Sequence, residues 1–172
     1  MSSTDWHVAQ VNIALPRAPL GAPELEDFVA MLAPINALAD GSPGFVWRLQ
    51  GETGDATGIR AFGDERILVN LSVWETIEAL GAFVFASGHA EVLRRRRDWF
   101  EQMAEAHLAL WWIRAGATPP TVEEAERRLA TLRQRGPSSE AFTLREPFPA
   151  PGSNVPVPSQ DRWRYPTTAL PA

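Results

Sequence analysis

The sequence has no cysteine, no lysine and a single tyrosine. Without cysteine there can be no disulfide, no thiolate nucleophile and no sulfur-bound metal cluster. Without lysine there is neither a Schiff-base amine nor the lysine of a phosphate-binding loop, so all sixteen basic residues are arginine. No apolar run reaches the roughly 18 to 20 residues of a membrane-spanning helix, and MSSTDWHVAQVNI is not a basic segment leading into an apolar one. A chain without these features is expected to stay in the cytoplasm, away from membranes. A formal charge of -5 argues against nucleic acid as a general partner.

Aromatic residues, by contrast, are plentiful: seven Trp and eight Phe in 172 residues exceed what one small core needs, which points to a planar ligand or a subunit interface. The length suits one domain. Ile67–Met103 is its densest stretch. Val69, Leu71 and Val73 alternate there with Leu68, Asn70, Ser72 and Trp74, and a helical pattern follows at once. Alternation predicts a first strand over His7–Ala14. Leu25, Phe28, Val29, Leu32, Ile35 and Leu38 predict a helix from Glu24, which Pro34 should kink or break. Phe45–Gln50 reads as a second strand with Phe45, Trp47 and Leu49 on one face, and Thr57–Phe62 as a continuation of its hairpin. Ser87 and Gly88 divide the next helical region into Thr76–Ala86 and His89–Ala106. His107–Arg114 reads as the fourth strand.

The order β-α-β-β-α-β is that of a ferredoxin-like α+β fold with an antiparallel sheet and helices on one face. The other face must be buried somehow, and in a single domain the alternative is an extra helix, which 121–135 supplies with Thr121 as its cap and Glu124 three residues on; an extended segment through Phe142, Leu144 and Phe148 follows. The domain is expected to span 1–148, and 149–172 to form a Pro-rich irregular tail in which Trp163 and Tyr165 pack on a neighbouring subunit or in a groove.

The strings HVAQVNIA at 7–14, PGFVWRLQ at 43–50, VNLSVWETIEAL at 69–80, SGHAEVLRRRRDWF at 87–100 and LALWW at 108–112 resemble the DUF3291 family over roughly residues 5–150. More distantly, a strand ending in Ser72, Val73, Trp74 and Glu75, followed by a histidine in the next helical region, is similar to the dimeric alpha/beta-barrel superfamily. That resemblance implies a homodimer in which the bare faces of two sheets meet. Its members include antibiotic-biosynthesis monooxygenases and haem-binding proteins. The resemblance does not choose a reaction; with the polar strand face beside an aromatic-rich helix, the first reading is a monooxygenase or related oxidoreductase acting on an aromatic or polyketide-like molecule, with or without a cofactor. The alternatives are a haem protein in which His89 is the axial ligand, and a non-catalytic ligand-binding dimer.

The candidate site residues follow from residue type and face. His89 stands on the apolar side of its helix, where an imidazole can act as a base or bind iron; a buried histidine that only donates to a carbonyl is the plain alternative. Asn70, Ser72 and Trp74 share a strand face whose amide and hydroxyl suit a cavity wall; by resemblance, Asn70 and Trp74 match the polar group and tryptophan of cofactor-independent monooxygenases. Asn12 and His7 face opposite ways, so at most one of them shares that wall. Arg96 lies on the His89 side of the run Arg94–Arg97 and is expected to pair with Glu75, a substrate carboxylate or a haem propionate. Trp47, Trp99 and Trp111 are taken as aromatic walls for the ligand, against the plain reading of core and interface. His7, His89 and His107 have no metal-site spacing, and no serine has an elbow motif.

Overall fold

The computed structural model describes residues 5–52 and 54–153. Its strands are β1 (Trp6–Ala14), β2 (Phe45–Arg48), β3 (Leu68–Trp74) and β4 (Leu108–Arg114); its helices are α1 (Glu26–Asp40), α2 (Ile77–Ala86), α3 (His89–Trp99) and α4 (Val122–Arg135). The four strands form one sheet in the order β2-β3-β1-β4, with every pairing antiparallel. This is the ferredoxin-like topology expected from the sequence, with the extra helix in place. No helix among the described residues is long and apolar enough to cross a membrane. The tail expected to carry Trp163 and Tyr165 lies outside the described residues.

Register assigns the two faces. Val8, Gln10 and Asn12 stand opposite Trp74, Ser72 and Asn70 on β3 and opposite Trp112, Leu110 and Leu108 on β4. Residues of this first face join Ile77, Leu80 and Phe83 of α2 in one core cluster. The second face carries Ala9, Val11, Leu71, Val73, Ala109 and Trp111, which form another core with Ala125, Leu129 and Leu132 of α4. Thr121 opens α4 by accepting from the Glu124 backbone N–H at 3.2 Å, as the motif predicted.

Here the structure corrects the reason for expecting a barrel dimer. The second face is not bare. Val11, Leu129 and Trp111 are each 0% exposed within one chain, because α4 and the loop bearing Ala56, Ile59 and Phe62 lie over it. Within one chain this face is already buried without a second sheet.

Three local expectations also change, and of the kink or break expected at Pro34 the break is absent. The segment Thr57–Phe62 is no strand; Phe62 instead donates its backbone N–H to Glu126 on α4 at 2.5 Å. An irregularity between Phe45 and Trp47 turns Phe45 toward the helices and leaves Trp47 on the second face, so the two do not share a side. Helix α1 runs through Pro34 without a break. Pro34 and Ala30, whose carbonyl loses its helical donor, are both exposed, and water can serve that carbonyl. Helix α3 ends at Trp99 rather than Ala106. The Trp99 carbonyl accepts from Arg17 N–H at 2.9 Å and Glu101 N–H donates to Leu15 at 2.8 Å, which draws the chain into an extended pairing with the segment after β1.

Candidate functional site

A cleft of about 1250 Å³ opens between the first sheet face and helices α1 and α3 and continues past the sheet to residues of the second-face core, among them Leu49, Val69 and Met103. Asn12, Leu68, Asn70 and Leu108 form its floor, Phe28, Leu32 and Ile35 of α1 one wall, and His89, Val92 and Arg96 of α3 the other. Its volume is above the usual range for small-molecule pockets, and apolar walls around a few polar groups are the usual construction of such sites.

His89 owes its place to the break between α2 and α3. Ser87 Oγ donates back to the Phe83 carbonyl and accepts from the His89 backbone N–H at 3.1 Å, so the chain turns and α3 begins at the imidazole. The ring packs against Phe83 with centroids 4.9 Å apart, and its Nδ1 lies 3.4 Å from the Val84 carbonyl oxygen. A carbonyl can only accept; in that contact Nδ1 carries the proton and Nε2 keeps its lone pair. Burial pushes the imidazole below the ordinary histidine range, more than the Val84 contact raises it. The ring is therefore neutral near pH 7.

Asn70 faces the cleft from the middle of β3, directly across from Asn12 on β1. Gln10 Nε2 donates to Asn70 Oδ1 at 3.4 Å and to Ser72 Oγ at 3.3 Å, and Trp74 Nε1 donates to the same Ser72 oxygen at 3.0 Å. With its oxygen held by Gln10, the Asn70 amide presents Nδ2 hydrogens as donors to the cleft. Ser72 and Trp74 do not line the cleft; Trp74 is 1% exposed and stacks on Phe83 with centroids 5.0 Å apart. Their part is to hold Gln10 and the strand beside Asn70.

The other aromatic assignments fall to the plain reading. Trp47 and Trp111 belong to the second-face core, and Trp99 is buried with Leu25 and Phe28. Arg96 lines the cleft but is not paired with Glu75; its neighbour Arg95 makes the inter-helix ion pair, to Asp27 at 2.8 Å. Thus His89, Asn70 and Arg96 come together, and Ser72, Trp74, Trp47, Trp99 and Trp111 do not join them. Arg97 and Arg17 are cleft residues the sequence reading did not single out. Arg97 was within reach of it, since His89, Val92, Leu93, Arg96 and Arg97 follow one helical stripe. Arg17 carried no local signal.

Compared with protein families, residues 7–157 match one described as a domain of unknown function, DUF3291. The chain belongs to the DUF3291 family. No curated protein matches this DUF3291 chain. Among solved structures it is similar to SnoaB from Streptomyces nogalater, a cofactor-independent oxygenase, at 21% identity, covering 68% of this chain and 99% of that one, with a TM-score of 0.43. It is also similar to PA3566 from Pseudomonas aeruginosa, at 11% identity over 66% of this chain and 98% of that one, with a TM-score of 0.44. A third is a protein of unknown function and possible oxidoreductase from Bacteroides thetaiotaomicron, at 11% identity over 65% and 99% of the two chains, with a TM-score of 0.40.

Proposed function

We propose that this DUF3291 protein oxidises an electron-rich aromatic molecule, a phenol or hydroxylated polycycle, with dioxygen in the cleft between sheet and helices. The observation that carries the reading is a neutral imidazole, His89, in the same cleft as the Asn70 amide, whose donors are left free by Gln10.

In this reading His89 Nε2 removes the phenolic proton, and the phenolate spreads its charge onto the ring carbon opposite. That carbon bonds to dioxygen, and the imidazolium returns its proton to the peroxide, giving a ring hydroperoxide. Loss of the hydrogen on that carbon with cleavage of the O–O bond releases water and leaves a quinone. One oxygen atom ends in the quinone and one in water, so the ring is oxidised and dioxygen reduced without a further reductant. Asn70 Nδ2 donates to the oxygen that gains negative charge, and the apolar walls exclude water from it.

Oxygen uptake and quinone formation with a panel of naphthols and hydroxyanthrones test the proposal. Asn70→Ala is expected to lower kcat about 10²- to 10³-fold, the usual effect of removing one such donor. Turnover no faster than in buffer across the panel would rule the reaction out.

One feature favours a second reading. An imidazole fixed at Nδ1 by a carbonyl, with Nε2 free, is also arranged as a metal ligand is. His89 would hold the iron of a haem and Arg96 and Arg97 its propionates; bound haem would supply redox iron. Hemin titration then gives a Soret band that shifts in His89→Ala, and an unchanged free-hemin spectrum rejects haem binding.

A further inference from the structure

The arginine run at the end of α3 divides by partner. Arg94 pairs with Glu91. Arg95 pairs with Asp27 at 2.8 Å and Asp98 at 3.5 Å, and its guanidinium lies over the Trp99 ring at 4.7 Å. Arg96 and Arg97 have no carboxylate partner among the described residues, are exposed, and line the cleft. From other segments Arg17 and Arg145, both exposed, also line the cleft. Arg17 uses Nε on the Phe100 carbonyl at 3.2 Å, which leaves its terminal nitrogens for other acceptors. The same lining also holds the carboxylates of Asp55 and Glu101. Asp55 is engaged locally, accepting from the Thr57 hydroxyl at 2.6 Å and its backbone N–H at 2.9 Å.

Acid is in excess in this chain, whose formal charge is -5, so carboxylates were available to pair every arginine. Gathering several unpaired guanidinium groups around one opening raises a positive potential there, which repels its own members and is relieved by a bound anion. Arginine also matches a carboxylate with two parallel N–H donors. We infer that the cleft selects an anionic substrate: a planar aromatic acid whose carboxylate rests on Arg96 and Arg97 while its reacting ring lies at His89.

The orientation of the ring rests on the oxidative reading above; the preference for an anion does not. His89 and Arg96 are on one helix stripe about two turns apart, roughly 10 Å along the axis. An acid group that far from the reacting ring belongs to a two- or three-ring fused system. Benzoate is too short to reach both.

The test is calorimetric binding of anthraquinone-2-carboxylate against the uncharged anthraquinone-2-carboxamide, with benzoate as the short probe. The carboxylate is expected to bind about tenfold tighter than the carboxamide at low salt, through charge-assisted hydrogen bonds. That preference should shrink in high salt, where exposed charges are screened. It should vanish in Arg96→Gln/Arg97→Gln and persist in Arg94→Gln, whose arginine is already paired. Equal affinity for acid and amide overturns the inference, as does no binding of the acid up to about 1 mM, or a preference that survives the double substitution. Binding needs no turnover, so the two proposals separate. A carboxylate preference without oxygen uptake on any substrate sinks only the oxidation. Uptake on neutral phenols without that preference sinks only the anion site.

Discussion

Replacing His89 with alanine is expected to lower oxygen-dependent turnover of a phenolic substrate by about 10²- to 10⁴-fold, the range for loss of a positioned general base. The pH dependence gives the result its meaning. Burial holds the His89 imidazole below the ordinary histidine value, so the neutral, base-competent ring persists into mildly acidic solution. The acid limb of wild-type kcat should accordingly fall below about 6.5, the value of a free imidazole. In His89→Ala that limb disappears, and activity climbs only as the pH nears the ionisation of the phenol itself, about 10 for a simple one. Raising the pH supplies the phenolate that the imidazole no longer makes, so the gap between variant and wild type should close at alkaline pH. Stability moves with the same group. Its folded pKa is depressed, so the stability it permits is full above about 6.5 and is lost as the pH falls from there toward the folded value, where the unfolded chain takes up the proton first. His89→Gln should flatten that part of the stability profile. A variant with unaltered kcat and an unaltered acid limb would leave His89 with no more than its Val84 contact.

What the sequence disclosed about this site follows from the geometry of each element. Two-residue periodicity correctly put Asn70, Ser72 and Trp74 on one face of β3, and set Asn12 apart from His7 on β1. It could not say how far along β3 the cleft extends. That depends on where α2 settles, and Phe83 of α2 stacks on Trp74 and closes the sheet at that end, leaving Asn70 under the open part. Likewise, helical phase brought His89 and Arg96 to one wall, but partner choice within Arg94–Arg97 was set by Asp27, far away in sequence on α1. Trp47 was misplaced because one irregularity in β2 reverses every side chain after it.

The fold itself was more legible than the site because its elements announce themselves locally. Thr76 and Thr121 cap their helices, accepting from Ala79 at 3.0 Å and Glu124 at 3.2 Å, and alternation in β1, β3 and β4 is strong. Packing of α4 was not local information. The helix was read from its own periodicity, yet its apolar stripe had two candidate destinations. The sequence offered two covers for the second face, this helix or a second copy's sheet, and periodicity could not choose between them.

Leu129→Ala is expected to show that the cover comes from the chain itself. Leu129 is 0% exposed on α4, in one cluster with Val11, Leu71 and Trp111. Cutting it back removes buried methyl groups and leaves a cavity that the surrounding sheet closes only in part, a loss of about 2 to 5 kcal/mol. Total stability of a domain this size is on the order of 5 to 15 kcal/mol, so denaturant unfolding should register a large fall in midpoint at nearly constant slope. Leu129→Met, which keeps the volume, should cost less than about 1.5 kcal/mol. The contrast decides between two coverings of one surface. If a second copy's sheet lay on this face in solution with α4 displaced outward, Leu129 would sit near water and its truncation would change stability by no more than about 0.5 kcal/mol. A large loss in alanine with a small one in methionine therefore assigns the face to α4, which leaves any pairing between copies to other surfaces and the cleft between sheet and helices complete within one chain.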